Sequence, residues 1–327
     1  MLTRRSFGAV ALATVWAALP AAAPASAQDW PTRPVTIVNG FPAGAGTDVL
    51  ARLIGETLGR ALGHTVVVDN KVGAGGNIGS EAVAKARPDG HTLLLGTAGT
   101  HGINATLYKA LPFDVIKEFT PITLLVDVPN ILIVNKSFPA TDVKGFIAEL
   151  KANPGKYHYA STGNGASTHL AGERFKALAK VDIVHVPYRG TPPAMQSLLQ
   201  NETQIMFQQA LSTMAQIKND QVKPLGVTTE TRIGALPNLP TIAEAGLPGY
   251  ESSTWYGLLG PAGLPRPIVD RLNAEVRKIV ESPEFKQRLY DLGLQVRTSS
   301  PEEFAKVLAD DVVRWREIVT ASGAKVD

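Results

Sequence analysis

The apolar positions of the chain fall into two series of short runs separated by helical spacings. In the first, VTIVNG (35–40), TVVVDN (65–70) and HTLLLGT (91–97) are rich in β-branched or leucine residues and bounded by turn residues, the pattern of buried strands. Between them Leu50, Leu53, Ile54, Leu58 and Leu62 recur at helical spacing, with Thr47 or Asp48 where an N-cap belongs. A shorter helix is predicted over 81–86, closed by Arg87-Pro88-Asp89-Gly90. This order of strands and helices predicts a parallel sheet with helices on both faces.

The pattern then changes. PITLLVDVPNILIVNK (121–136) is too long for one ordinary strand and contains Pro129, so it reads as a segment crossing from one lobe to another. A second series follows, with helices over 141–152, 168–179, 191–200 and 211–218. Strands over 157–162, 181–187, 204–208 and 222–228 alternate with them. The Pro- and Gly-rich stretch 229–263 reads as the return crossing. Helices over 265–280, 283–292 and 301–322 end the chain, the last with Phe304, Val307, Leu308, Val312, Trp315 and Val319 on one face. The expectation is two α/β lobes, 28–127 with 252–327 and 128–251, each a mainly parallel sheet, with two crossovers and a cleft between. Several loops that follow strands, 40–48, 73–80, 96–104 and 161–169, are rich in small and hydroxyl residues. Ligands bind at such carboxyl ends of strands.

The first 27 residues change the picture of where this happens. Arg4 and Arg5, an apolar run from about Phe7 to Leu19, and Ala25-Ser26-Ala27 form an export signal cleaved after Ala27. The run is too short to span a bilayer. Thr3-Arg4-Arg5-Ser6-Phe7 resembles a twin-arginine signal, which leaves that export route and the general one open. The mature chain would be 300 residues long (327 − 27), and its formal charge falls from +3 to +1 with loss of the two arginines. A near-neutral protein offers no electrostatic footprint for nucleic acid or an anionic membrane. With no cysteine, it has neither a disulfide framework nor a lipid-anchor residue.

GFPAGAGTDV (40–49) poses the question of a dinucleotide cradle, since a strand precedes it and Asp69 ends the next strand. Val49 occupies the place of the third glycine, and Phe41-Pro42-Ala43 adds bulk where the turn should be tight. GAGGNIG (73–79) has Ile78 at the same place and reads as scaffold. The six histidines show no metal-ligand spacing, and no G-x-S-x-G elbow is present. Ser161, Ser167 and His169 are near one another in sequence, leaving a hydrolase as a rival reading. An anion site is better supported. Helix starts after Gly44-Ala45-Gly46-Thr47 and after Gly163-Asn164-Gly165-Ala166-Ser167-Thr168 offer unpaired N–H groups, one per lobe. Asp48 opposes an anion there unless its charge is tied up.

An ordered set of stretches carries a resemblance that covers the mature chain. They include FPAGAGTDVLAR (41–52), VVVDNKVGAGGNIG (66–79), ARPDGHTLLLGT (86–97), ASTGNGASTHLAGERF (160–175), HVPYRGTPPAM (185–195) and WYGLLGPAGLP (255–265). The chain resembles the periplasmic solute-binding proteins of tripartite tricarboxylate transporters, the Bug family. The resemblance implies a two-lobe periplasmic-binding fold of the type II kind, no catalysis and no cofactor. It also implies a monomer that captures a small carboxylate and delivers it to one large and one small integral membrane subunit. It places Phe41, Gly44, Ala45, Thr47 and Asp48 in the first-lobe ligand loop, and Thr97, Thr100 and His101 after the third strand. Ser161, Thr162, Gly163, Asn164, Ser167, Thr168 and His169 form the second-lobe loop, and Tyr188 and Trp255 would be wall residues.

Two departures from the family pattern bear on ligand choice. Ala45 stands where consecutive glycines are usual, and Gln208 follows Met206-Phe207 where many relatives carry aspartate. Without that acid a ligand ammonium group loses its partner, so a dicarboxylate or aromatic acid lacking an amine is expected. A nicotinamide-dependent oxidoreductase and a sensor input to a membrane signalling protein are the alternative readings of the sequence.

Overall fold

The computed structural model describes residues 30–326. The expected export signal and its cleavage site lie outside the described residues.

The first series forms β1 (Val35–Asn39), α1 (Gly46–Leu62), β2 (Val66–Asn70), α2 (Asn77–Ala84), β3 (Thr92–Thr97) and α3 (Asn104–Leu107). Leu50, Ile54, Leu58 and Leu62 bury one face of α1 against the sheet, and left-handed Gly63 ends the helix. A 3-10 turn over 74–76 starts α2 earlier than its apolar spacing predicts. GAGGNIG is scaffold for a specific reason: a Cβ on Gly40 would stand 2.7 Å from Gly76 Cα, and one on Gly79 would stand 2.9 Å from Gly40 Cα. Only backbone fits there.

The long apolar segment is two strands, β4 (Phe119–Val128) and β5 (Asn130–Asn135), one in each sheet, with Pro129 between them. The second lobe continues with α4 (Val143–Ala152), β6 (His158–Ser161), α5 (Ser167–Ala179), β7 (Val184–Pro187) and α6 (Thr191–Leu199). It ends with β8 (Ile205–Gln209), α7 (Met214–Lys218) and β9 (Val222–Val227). The return stretch is not all connection, because it contains β10 (Thr254–Pro261), buried along its whole length. The chain closes with α8 (Arg266–Glu281), α9 (Pro283–Asp291), β11 (Gln295–Val296) and α10 (Pro301–Ser322).

The sheet orders reveal one plan used twice. Sheet one runs β11-β4-β10-β3-β1-β2 and sheet two runs β7-β6-β8-β5-β9. In each, with the reversed strand left out of the count, the lobe's first strand (β1 or β6) lies between its second and third, and the reversed strand separates third from fourth. That reversed strand, β10 or β5, is the first one the chain makes after crossing from the other lobe. The sheets are therefore mixed, which corrects the expectation of mainly parallel sheets to the extent of the reversed strands. The order also defines a switch point in each sheet. The connections of the first strand diverge to either side of it, and the loops after β1 and β6 lie at that switch point.

Candidate functional site

Both switch-point loops open onto one cavity of about 940 Å³ between the lobes. They have the same construction. In the first, the Ala45 N–H donates to Pro42 O at 3.1 Å, Gly44 is left-handed at φ 80°, and the Asp48 carboxylate accepts the Gly44 N–H at 2.8 Å. In the second, the Ala166 N–H donates to Gly163 O at 3.2 Å, Gly165 is left-handed at φ 74°, and His169 Nδ1 accepts the Gly165 N–H at 3.0 Å. The N-caps Ala45 and Ala166 have nearly identical extended backbones and neither has a side-chain cap.

That overturns the reading of Thr47 or Asp48 as the N-cap of α1. Alanine cannot satisfy the helix start, so the N–H groups of Gly46 and Thr47, and of Ser167 and Thr168, stay available beside the cavity. They precede the first full-turn bonds, Val49 N to Ala45 O and Leu170 N to Ala166 O, both 3.0 Å. Positive helix ends thus meet the cavity from both lobes.

The electrostatics favour an anion by an unusual route: among the described residues, no Asp, Glu, Lys, Arg or His lines the cavity. Asp48 is buried behind its loop with its charge tied up. Burial opposes that charge, but Arg52 at 2.9 Å, the Gly44 N–H and the Asn70 amide at 2.9 Å together hold its carboxyl below the usual range. In the second lobe the matching acceptor is neutral. His169 must carry its proton on Nε2 to accept from Gly165, and burial lowers its pKa accordingly.

Phe41, Gly44, Ala45, Thr47, Thr97, Thr162, Gly163, Asn164, Ser167, Thr168 and Gln208 line the cavity. Asp48, Thr100, His101, Ser161, His169, Tyr188 and Trp255 do not. Thr100 and His101 are buried behind Thr97, with Thr100 Oγ1 2.8 Å from His101 Nδ1. Ser161 Oγ lies 2.6 Å from His185 Nε2, and the His185 ring stacks on His169 at 3.9 Å between centroids. Ser161 has no exposed surface, so this pair braces the loop from beneath and presents no nucleophile to the cavity. Tyr188 packs half-buried against the second-lobe core.

Trp255 corrects the expected wall by one residue. It is buried in the first-lobe core against Phe304, its indole N–H donating to Asp311 at 2.5 Å. Alternation along β10 turns Tyr256 to the opposite face, where it lines the cavity. Sequence reasoning also missed Ile103, Asn104, Leu107, Thr191, Leu211 and Val326 in the lining.

Two lining residues are incompletely satisfied. Among the described residues Thr47 Oγ1 and Gln208 Oε1 are buried without a partner, while Gln208 Nε2 donates to Thr191 Oγ1 at 2.9 Å. The matching hydroxyl in the second lobe is occupied, since Thr168 Oγ1 accepts the Thr162 N–H at 3.0 Å. A bound group can use the two free atoms without displacing protein contacts.

The family model for the tripartite tricarboxylate transporter family receptor matches residues 50–324. The chain belongs to that family. It is 38% identical over 291 residues to the "UPF0065 protein in tcbD-tcbE intergenic region" of Pseudomonas sp. strain P51, covering 89% of this chain and 86% of that one. The solved structure "R. palustris Rpa4515 with adipate" is 35% identical with a TM-score of 0.82, covering 91% of this chain and 99% of the other. MatC from Rhodopseudomonas palustris with bound malate is also 35% identical, with a TM-score of 0.76 and coverages of 89% and 100%. The family and fold expected from the motifs are therefore met. Among the described residues, no helix is long and apolar enough to cross a membrane.

Proposed function

We propose that this receptor captures a small dicarboxylate or aromatic acid without an amine in the extracytoplasmic space. It hands the ligand to the large and small membrane subunits of a tripartite carrier, acting as a monomer whose lobes are 28–127 with 252–327 and 128–251. The observation that carries the reading is the pair of uncapped helix starts facing one cavity that, among the described residues, has no charged side chain in its lining. A carboxylate there replaces water on N–H groups that the fold leaves unused. Charge-assisted hydrogen bonds contribute roughly 1.5–3 kcal/mol each, so four approach the roughly 8 kcal/mol of micromolar binding.

The rest of the lining sets the remainder of the ligand. Val49, Ile103, Leu107, Leu211, Tyr256 and Val326 give the cavity an apolar side that suits a carbon skeleton between or beside the acid groups. Val49, which breaks the dinucleotide fingerprint, is itself part of that wall. Adipate and malate, the ligands of the two related structures, are both amine-free dicarboxylates.

A thermal-shift screen of the signal-less protein against small carboxylates and NAD(P)H tests the reading. A ligand at 100 times its Kd adds about 2.7 kcal/mol of stability. Stabilisation by a dicarboxylate or aromatic acid is expected; stabilisation by the nucleotide alone would overturn the proposal.

A further inference from the structure

Each lobe sends one leucine across the cleft onto the other lobe's cradle. Leu211, in the turn after β8, reaches Gly46 at the start of α1: a Cβ on Gly46 would stand 2.5 Å from Leu211 Cδ2. Leu107, in α3 after β3, covers Gly165, where an added Cβ would overlap both leucine methyls and lie 2.9 Å from Cγ. Both leucines follow the third strand of their lobe. Each rests at the junction of the opposing loop and helix, one just after the N-cap and one just before it.

The two glycines serve different needs. Gly165 is left-handed, so its residue type is set by backbone conformation as well as by Leu107. Gly46 has helical backbone that any residue adopts, at the first position of α1. Local structure therefore gives no reason for glycine at 46; the methyl groups of Leu211 do. The two contacts also differ in setting. Leu107 belongs to a buried cluster that joins Leu170 of α5 to Trp315 and Val319 of α10, whereas Leu211 is half-buried at the cavity edge.

From this we infer that Leu211 and Gly46 form a closure latch, with Leu107 and Gly165 as its counterpart on the side of α10. Seating Leu211 on Gly46 shuts bulk water away from the N–H groups at the start of α1. Removing water strengthens a hydrogen bond to a bound anion and slows its exchange. Leu211 acts as a positioning residue: it holds the lobes at the separation at which both helix starts reach one ligand. The affinity arm of the test rests on the carboxylate reading above; the cross-linking arm does not.

The chain has no cysteine, so a Gly46→Cys, Leu211→Cys double variant reports on this contact alone. Under mild oxidation it is expected to form an intramolecular disulfide, seen as a loss of two hydrogens in intact mass. Failure to cross-link in both the presence and the absence of adipate and malate would overturn the latch. For function, Gly46→Ala, whose Cβ must push the Leu211 methyl aside, is expected to weaken binding of whichever probe, adipate or malate, the parent protein binds, chiefly through faster release. Leu211→Ala alone should weaken binding as well, and the double alanine variant should lose no more than the larger single loss, because both changes act on one contact. Parent-like binding by Leu211→Ala, or additive losses in the double alanine variant, with all variants folded by circular dichroism, would overturn the latch. If the parent binds neither probe, the ligand assignment fails for those acids and cross-linking alone decides the latch.

Discussion

Asp48 and His169 hold the same position in the two lobes, each accepting the N–H of a left-handed glycine four residues earlier. One acceptor is an anion neutralised by Arg52 and the other a neutral imidazole, so both cradles are shaped without adding net charge. The equivalence explains how two dissimilar sequences, PAGAGTD and GNGASTH, make the same helix start.

Asp48 supports both loop shape and stability. Asp48→Ala is expected to cost about 1–3 kcal/mol through the stranded Gly44 and Asn70 donors, and Asp48→Asn less, because its carbonyl still accepts from Gly44. The folded carboxyl lies below its ordinary 3.8, so its contribution is present above that pH and is lost as pH falls through the folded value. Urea unfolding should therefore show a constant gap between parent and Asp48→Asn from pH 7 to pH 5, narrowing below 3.8.

The buried histidines act in a higher window. Burial lowers His101 and His185 to about 3, aided for His185 by neighbouring His169 and Lys176, and lowers His169. Unfolded chains bind these protons near 6.5, so stability is full above that pH and falls as pH drops below it. His101, fully buried, carries the largest share of that loss. Partly exposed His185 contributes less, because solvent screens it. Urea midpoints at pH 7.5 and 5.5 should differ in the parent and differ less in His101→Asn.

Trp255 and Tyr256 separate stability from binding. Trp255→Phe is expected to lower stability by about 1–3 kcal/mol through loss of the Asp311 bond and of packing. Tyr256→Ala should weaken ligand binding far more than Trp255→Phe does. Calorimetry and thermal melts on both variants check this; a larger affinity loss in Trp255→Phe would return that tryptophan to the wall.

Gln208 supplies a neutral acceptor where an acid would hold an ammonium group. Aspartate and glutamate are expected to bind more weakly than their deaminated analogues. Gln208→Asp should narrow or reverse that order, as read by competitive calorimetry.

Much of this architecture was legible because local pattern and fold agree. The helix spacing of α1 and the apolar runs of β1 to β3 need no distant partner to be recognised. β10 escaped because its glycines and proline resemble a connection, and its strand neighbours β3 and β4 lie about 130 to 160 residues earlier in the chain. Missing that strand hid the alternation that separates Trp255 from Tyr256. The two cradle loops declared themselves through small residues at helix starts. Leu107 and Leu211 did not, since nothing near a leucine in sequence shows that it will rest on a glycine of the other lobe. His101 and Ser161 carry suitable chemistry in suitable loops, yet their side chains point into the scaffold.

The central claim is that paired helix starts, without a charged side chain, select a carboxylate. Calorimetric titration of the signal-less protein with adipate and malate, each beside its uncharged diamide, tests it most directly. Binding of at least one diacid is expected, with no measurable heat from its diamide and an affinity unchanged from pH 6.5 to 9, because no lining side chain titrates there. Equal binding of acid and diamide would contradict the account.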